Sequence, residues 1–369
     1  IKVQEPAKEF LAKIGFDQNL GARPLKRVIQ KQVLDPLSFK IVSGEVTEGD
    51  RLIVSHHGQV VADVPSRSLV LGGGAPVYIR EAKEPDYLKQ TRAFDPSRLP
   101  TPSDLASVLL RLLSSPNIAS KRWVYEQYDH MVRTNNVVLG GEDSAVVVLK
   151  EGNKALSMKT DCNSRYVYLN PYRGGMIAVA EAARNVVCTG AEPLAITNCL
   201  NFGNPYKPEV YWQFREAVRG MGDACRALGT PVTGGNVSFY NESPVTSVYP
   251  TPVVGMLGLI TDLAHVTTAN FKDNGDVIVL LGRLGGHVGG SEYLSMHHGI
   301  VGGDAPSLDI AYEISVQQAC LRAIRTGIIK SAHDCSEGGL AVAITESCIA
   351  GGQRMRGARI TLPASDMRT

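Results

Sequence analysis

The 369-residue sequence lacks any apolar run long enough to cross a membrane. Its longest apolar stretches, such as Thr251–Ile260, extend to about ten residues, whereas a spanning helix needs about 20. It also lacks a long basic run, and its formal net charge is only +2, so nucleic acid is not expected as the main partner. No segment has the features of a signal peptide. The 44% share of hydrophobic residues excludes a mostly disordered chain.

Several catalytic and metal-binding motifs are missing as well. None of the seven cysteines forms a CxxC pair, so neither a disulfide framework nor a zinc site is expected. This usage is typical of reduced thiols, and we expect a cytoplasmic protein. The sequence contains no HExxH and no GxSxG. Gly282–Glu292 does not meet GxGxxG spacing, and no segment fits a P-loop.

Glycine, by contrast, is abundant, with 37 residues. Much of it occurs in clusters in separate loops, where glycine allows backbone to approach a ligand closely. These clusters suggest ligands that carry phosphate, although plain turns explain some of them. The clusters are Gly72–Gly74, Gly174–Gly175, Gly234–Gly235, Gly285–Gly286, Gly289–Gly290 and Gly338–Gly339.

From Val137 onward, apolar segments of strand and helix length alternate, which predicts α/β structure. Pro208 and Gly229 flank one such segment, as is usual at the two ends of a helix. Upstream, Arg51–Val54 and Val60–Val64 predict a hairpin. Later strands are predicted at Ser144–Leu149, Ala155–Thr160, Pro193–Cys199, Pro231–Thr233, Val253–Ile260 and Val277–Leu281, and helices at Ser103–Leu113, Gly175–Thr189, Pro208–Leu228, Leu308–Thr326 and Glu337–Ala350.

Two loops that follow predicted strands carry oxygen ligands. Asp161 follows a strand in the sequence MKTDCNSR, and a carboxylate there could bind Mg²⁺ or simply cap a turn. Asn236 and Ser238 follow two glycines in GGNVSFYNE. The amides of that segment could bind phosphate while Asn236 offers an oxygen to a metal, or the segment could be an ordinary glycine-rich turn.

Two further loops have similar alternatives. Ile196–Pro205 contains three asparagines after an apolar strand, which suits either a ligand-binding rim or a turn. Asp334 and Ser336 in SAHDCSEGG precede the apolar helix predicted at Glu337–Ala350. At the start of that helix they could help to bind an anion. Capping of the helix would equally explain both residues.

Long motifs between Val61 and Thr369 resemble one family. The sequence is similar to the C-terminal half of the phosphoribosylformylglycinamidine synthase subunit II (PurL) family. The motifs that carry the resemblance are SPNIASKRWVYEQYDHM (Ser115–Met131), TDCNSRYVYLNPYRGGMIAVAEAARN (Thr160–Asn185), GAEPLAIT (Gly190–Thr197), GNVSFYNE (Gly235–Glu242) and SAHDCSEGGLAVA (Ser331–Ala343).

The resemblance implies an α/β (α+β) fold with two domains like those of aminoimidazole ribonucleotide synthetase. We expect a linker over residues 58–114, the N-terminal α/β domain over 115–265, and a truncated C-terminal α/β domain over 276–369. It also implies a reaction, in which ATP activates the formyl amide oxygen of formylglycinamide ribonucleotide and ammonia then displaces phosphate to give the amidine.

The resemblance also implies roles for four residues and for partner subunits. Asn198 and Gly235 would contact ATP, Asn236 would bind Mg²⁺, and Ser238 would contact the ribonucleotide. The family usually has aspartate where this chain has Asn198, so that contact lacks a negative charge. A separate glutaminase subunit would supply ammonia with the help of a small bridging subunit. The proton-accepting histidine and most Mg²⁺ and substrate ligands belong to the family's first half, so we expect this chain to be inactive alone.

The first residues resemble a different family. Residues 1–57, with FDQNLGARPLKRVIQ and DPLSFKIVSGE, are similar to the C-terminal small domain of the ClpB disaggregase, a helical domain like an AAA+ lid. In that family the arginine of the GARP motif, here Arg23, senses ATP bound to the preceding domain. This suggests a chimeric reading frame. Alternative functions are a ClpB-associated chaperone module and an inert nucleotide-binding remnant.

Overall fold

A computed structural model describes residues 49–56, 58–65, 79–128 and 134–361, with isolated positions before residue 49. The chain divides into two compact units, Ile1–Ile79 and Arg80–Thr369. The ClpB-like domain expected at 1–57, including Arg23, lies almost wholly outside the described residues, as do Gly72–Gly74.

The described part of the first unit is a hairpin. Strands β1 (Arg51–His56) and β2 (Gln59–Pro65) pair antiparallel on either side of Gly58. Gly58 has a φ of 79°, a left-handed conformation that glycine adopts without strain. The hairpin predicted from the alternating apolar residues is therefore confirmed.

The second unit contains a six-stranded sheet. Its strands are β3 (Asn136–Val138), β4 (Ala145–Leu149), β5 (Lys154–Asp161), β6 (Glu192–Asn201), β7 (Val232–Ser238) and β8 (Thr251–Ile260). Their order in the sheet is β3-β4-β5-β8-β6-β7. The pairing between β6 and β7 is parallel, and the other pairings are antiparallel. As a result β5, β6 and β7 run in the same direction and end at one edge of the sheet.

Nine α-helices lie along the described part of this unit. They are α1 (Tyr87–Arg92), α2 (Leu105–Leu113), α3 (Arg122–Tyr125), α4 (Ser164–Leu169), α5 (Pro171–Cys188), α6 (Pro208–Leu228), α7 (Glu292–His298), α8 (Ile310–Arg325) and α9 (Gly339–Ile349). The two longest, α5 and α6, pack against each other, and α5 covers the sheet. Helix α6 begins with Pro208 and is followed by Gly229 at a φ of 69°, as predicted.

The main apolar core lies between α5, α6 and the helix-covered face of the sheet. Residues of β8 alternate between buried and half-buried, so that every second side chain, such as Val254 and Met256, enters this core. Within the described residues, no helix combines the length and apolarity that a membrane crossing requires. The α/β fold expected for this unit is confirmed.

One predicted strand is wrong. Val277–Leu281 forms no strand, and its five apolar side chains are all exposed, Val277 by 85%. A strand requires a neighbour for its backbone hydrogen bonds, and this segment pairs with none of the strands that the structure describes. The apolar run in the sequence indicates strand propensity but contains no information about the partner.

Candidate functional site

Three carboxylates and one amide meet at the end of β5. Asp161 is the last residue of β5, Glu181 and Asn185 lie one turn apart on α5, and Asp334 lies in the loop before α9. The Nδ2 of Asn185 lies 3.4 Å from Oδ2 of Asp161 and 3.4 Å from Oδ2 of Asp334. We call these four residues the acidic cluster. Two sequence candidates from separate loops, Asp161 and Asp334, are thus joined through a residue of α5.

The electrostatics of the acidic cluster favour a bound cation. Burial raises the pKa of Asp161 to about 6 and that of Asp334 to about 7. The pKa of Glu181 lies well above its usual range, because it is buried and close to Asp161. The guanidinium of Arg184 acts in the opposite direction and lowers all three pKa values, and its Nη1 lies 3.3 Å from Oδ2 of Asp334. Because burial is the largest cause of each shift, the raised pKa values mean that these carboxylates are poorly solvated when charged, and a bound cation would favour their charged form.

A neighbouring group of three residues is less suited to a metal. Asp143, His333 and Asp334 each offer a ligand atom within 4.8 Å of the others. However, both ring nitrogens of His333 are engaged, Nδ1 with Asp143 at 2.9 Å and Nε2 with Glu346 at 3.0 Å. Burial lowers its pKa, but these two hydrogen bonds outweigh burial and raise it to about 11. An imidazolium has no lone pair for a metal, so His333 acts as a cation between two carboxylates.

The other sequence candidates lie on two parallel strands. In the register of β6 and β7, Asn198 lies opposite Gly235, and Ser238 lies opposite Asn201. A Cβ atom at Gly235 would lie only 2.2 Å from Oδ1 of Asn198, so the contact requires glycine. Strand alternation places Asn236 and Ser238 on the sheet face opposite to that of Gly235. We call Asn198, Gly235, Asn236 and Ser238 the strand set.

The acidic cluster and the strand set share one row of the sheet. Asp161 lies opposite Val254 of β8, which lies opposite Asn198, which in turn lies opposite Gly235. Neighbouring strands are about 4.8 Å apart, so the backbones of Asp161 and Asn198 are separated by roughly 10 Å. Directly opposed residues point to the same face, so the side chains of Asp161 and Asn198 both point toward the helices.

The capping role considered for Asp334 and Ser336 is wrong. Gly338 is the N-cap of α9, and no side chain caps this helix. The helix begins at Gly339, later than predicted, and the carboxylate of Asp334 is instead bound by Arg184. Ser336 is exposed.

Sequence reasoning missed Glu181, Arg184 and Asn185. They lie in AVAEAARNVV, a segment of α5 in which alanine and valine otherwise predominate. Glu181 and Asn185 are both buried, and their spacing of four residues places them on one face of the helix. Polar residues at this spacing in an apolar helix were the available signal, because buried charges need a partner or a ligand.

The comparison with protein families gives three matches. Residues 141–260 match the model described as AIR synthase related protein, N-terminal domain, and residues 273–366 match the corresponding C-terminal domain. Residues 1–54 match the C-terminal, D2-small domain, of ClpB protein. Residues 141–260 and 273–366 therefore belong to the two domain families of AIR synthase-related proteins.

Within that class, the chain is similar to the subunit PurL. It is 54% identical over 332 residues to phosphoribosylformylglycinamidine synthase subunit PurL of Chlorobaculum tepidum, covering 88% of this chain and 43% of that protein. The PurL of Moorella thermoacetica is 52% identical over 328 residues, with coverages of 89% and 44%. The chain thus spans less than half the length of these curated relatives.

Solved structures give a weaker likeness. The Thermotoga maritima PurL complexed with ATP has a TM-score of 0.39 and 30% identity, covering 59% of this chain and 32% of that one. The complex of the same protein with FGAR has a TM-score of 0.43 and 24% identity, with coverages of 76% and 38%. The relationship to PurL therefore rests on the sequence similarity.

Proposed function

We propose that this chain forms part of a phosphoribosylformylglycinamidine synthase and contributes a Mg²⁺- and ATP-binding site to it. The observation that carries the proposal is the acidic cluster, in which the carboxylates of Asp161 and Asp334 converge on Asn185 and the buried Glu181 lies close to Asp161. The sequence similarity to PurL supplies the reaction class, an ATP-dependent ligase that joins carbon to nitrogen. Because the chain spans 43% of that relative, the complete reaction is assigned to the chain together with the remaining PurL sequence.

The residues of the acidic cluster fit Mg²⁺ by their chemistry. Mg²⁺ takes oxygen ligands, commonly one or two carboxylates together with nucleotide phosphates. Asp161, Glu181 and Asp334 supply such oxygens, and burial, the largest cause of their raised pKa values, disfavours their charge unless a cation is bound beside them. When bound there, Mg²⁺ would offset the negative charge of the ATP phosphates. Asn236 of the strand set is the alternative metal ligand, on a different strand and the opposite face.

The strand set would position the two substrates. Gly235 allows the backbone of β7 to approach ATP, and Asn198 can donate a hydrogen bond from its amide. Ser238, whose hydroxyl lies 3.1 Å from Oδ1 of Asn241, would contact formylglycinamide ribonucleotide. A glutaminase subunit and a small bridging subunit would deliver the ammonia. No residue of this chain is assigned as the catalytic base.

The proposal predicts that Asp334→Asn weakens Mg²⁺-dependent ATP binding by about 10- to 100-fold, as loss of metal-site groups commonly does. Isothermal titration calorimetry with Mg²⁺, and with a chelator in its place, measures the effect. Asp273→Asn is the matched control, since its exposed carboxylate pairs only with Lys330 at the surface. Asn236→Ala separates the alternatives, because it should abolish binding only if Mg²⁺ lies at the strand set. Equal affinity in all variants would contradict the proposal.

A second prediction concerns the close contact between β6 and β7. Gly235→Ala should displace Asn198, because overpacking costs about 1 kcal/mol or more. If that cost falls on nucleotide binding, ATP should bind about fivefold more weakly or worse. Gly234→Ala is the control, since a Cβ at that position meets nothing within 4 Å. Calorimetric titration of both variants with Mg-ATP tests the difference. Unchanged binding in Gly235→Ala would remove Asn198 and Gly235 from the nucleotide site.

A further inference from the structure

The ring of His333 joins two carboxylates that are far apart in the sequence. Its Nδ1 lies 2.9 Å from Oδ1 of Asp143, which precedes β4, and its Nε2 lies 3.0 Å from Oε2 of Glu346 on α9. An ionised carboxylate only accepts hydrogen bonds, so both ring nitrogens donate. Asp143 is 3% exposed, whereas the side chain of Glu346 is 37% exposed. We call Asp143, His333 and Glu346 the histidine network.

The buried carboxylate of Asp143 also holds the backbone of the next residue along the chain. Its Oδ1 accepts a hydrogen bond from the backbone N–H of Asp334 at 3.1 Å, in addition to the one from the ring of His333. One carboxylate thus binds the side chain of one residue and the backbone of the residue that follows. Asp143 lies within the N-terminal domain match and His333 within the C-terminal one, so these bonds attach the loop before α9 to the other domain.

The loop attached in this way brings Asp334 to the acidic cluster. Residues 331–336 form neither helix nor strand. Such a segment lacks the regular hydrogen bonds of helices and sheets, so its shape depends on other contacts. The carboxylate of Asp334 lies 3.3 Å from Nη1 of Arg184 and 3.4 Å from Nδ2 of Asn185. The position of this carboxylate beside α5 therefore depends on where the backbone of Asp334 is held.

We propose that His333 is a positioning residue for the acidic cluster. By donating to Asp143 through Nδ1, it orients the carboxylate that holds the backbone of Asp334, and so places the side chain of Asp334 for Mg²⁺. Both of its ring nitrogens are engaged, so His333 acts through Asp143 and not by binding the metal. The inference rests on the proposed function, which supplies Mg²⁺ with ATP as the ligand of the acidic cluster.

Two amide side chains separate the two contacts of the ring. The amide NH₂ of asparagine reaches about as far as Nδ1 of histidine, and that of glutamine about as far as Nε2, and both are donors. His333→Asn can therefore still donate to Asp143, whereas His333→Gln can donate only toward Glu346. His333→Leu removes both donors and retains an apolar side chain.

Calorimetric titration with ATP in the presence of Mg²⁺ compares these variants with the parent chain. We expect His333→Leu and His333→Gln to bind about 10-fold more weakly or worse, as is common when a group that orients a metal ligand is lost. His333→Asn should restore most of the affinity, because it keeps the bond to Asp143. His298→Leu is the matched control and should bind like the parent chain, since this half-buried histidine bonds to the hydroxyl of Tyr293 at 3.1 Å on α7.

A measurement without ligand separates this proposal from the proposed function. Amide hydrogen exchange of the peptide that contains Asp334, followed by mass spectrometry without Mg²⁺ and ATP, reports whether the loop is held. We expect about tenfold faster exchange there in His333→Leu, parent-like exchange in His333→Asn, and no change in a peptide from α6. A parent chain that binds no ATP with Mg²⁺ would contradict the proposed function, whereas the exchange pattern still tests the role of His333.

Two results would overturn the assignment of His333. One is parent-like exchange of the Asp334 peptide in His333→Leu, or undiminished affinity in that variant where the parent chain binds ATP. The other is restoration by His333→Gln but not by His333→Asn, which would make Glu346 the partner that matters. Circular dichroism of each variant distinguishes loss of a hydrogen bond from loss of the fold. Should His333→Leu fail to fold, His333→Gln provides the same test, since it also lacks the bond to Asp143.

Discussion

Replacing Glu292 with alanine should lower the free energy of unfolding by about 3–5 kcal/mol, the usual effect of removing one partner of a buried ion pair. Glu292 is 6% exposed and forms an ion pair with Arg165, whose side chain is 11% exposed. It also accepts hydrogen bonds from Ser115 and Asn117, both at 2.9 Å. The alanine variant would leave a guanidinium and two polar side chains without their acceptor. Chemical denaturation at neutral pH measures the loss.

The same carboxylate predicts a dependence on pH. Burial opposes the charge of Glu292, but hydrogen bonds from Asn117, Ser115 and Arg165 outweigh burial and hold its pKa below the usual value. A lowered folded-state pKa contributes stability above the unfolded-state pKa of about 4.3, and that stability is lost as the pH falls through the folded-state value. The difference between the parent chain and Glu292→Ala should therefore shrink on acidification.

An exposed ion pair provides the control for this result. Asp223 pairs with Arg226 at the surface, where the arginine side chain is 73% exposed, and it also accepts a hydrogen bond from the hydroxyl of Tyr172 at 2.7 Å. Asp223→Ala removes this carboxylate without burying an unpaired charge, so the free energy of unfolding should fall far less than in Glu292→Ala. A loss in Glu292→Ala no larger than that in Asp223→Ala would show that the buried pair contributes little.

Local sequence signals located most elements of the second unit. Helix α6 was predicted at Pro208–Leu228, the range found, because proline at its start and glycine after its end are local requirements of helix geometry. Strand β8 was predicted to within two residues at its start, since its apolar run reflects burial in the core. Such features depend only on neighbours along the chain.

Features that depend on residues far apart in the sequence were harder to predict. Val277–Leu281 has the composition of a strand but pairs with no described strand, and nothing in its own residues specifies a partner. The acidic cluster combines Asp161 and Asp334, which are far apart in the sequence, with two residues of α5. These are Glu181 and Asn185, and the segment of α5 around them consists mostly of alanine and valine. Asp161 and Asp334 were identified singly from the sequence, but their meeting with Glu181 and Asn185 is a property of the tertiary structure.

The crossing of α5 and α6 predicts a large effect from a single methyl group. Gly220→Ala should destabilise the chain by about 3 kcal/mol, because its Cβ would lie 1.9 Å from the carbonyl oxygen of Tyr172. Backbone cannot rotate away as a side chain can, so the helices must separate. Gly175 on α5 shows the same close approach, with a Cβ 2.4 Å from the carbonyl oxygen of Ala217.

Gly222→Ala on the same helix tests whether close packing is the cause. Its Cβ would meet only the guanidinium of Arg226 at 3.5 Å, an ordinary contact. Alanine is favoured over glycine within a helix by about 1 kcal/mol, so this variant should be as stable as the parent chain or more stable. Thermal and urea unfolding of the two variants should therefore shift in opposite directions. If Gly220→Ala were also stabilised, helix propensity would outweigh the contact and the two helices would have room to adjust.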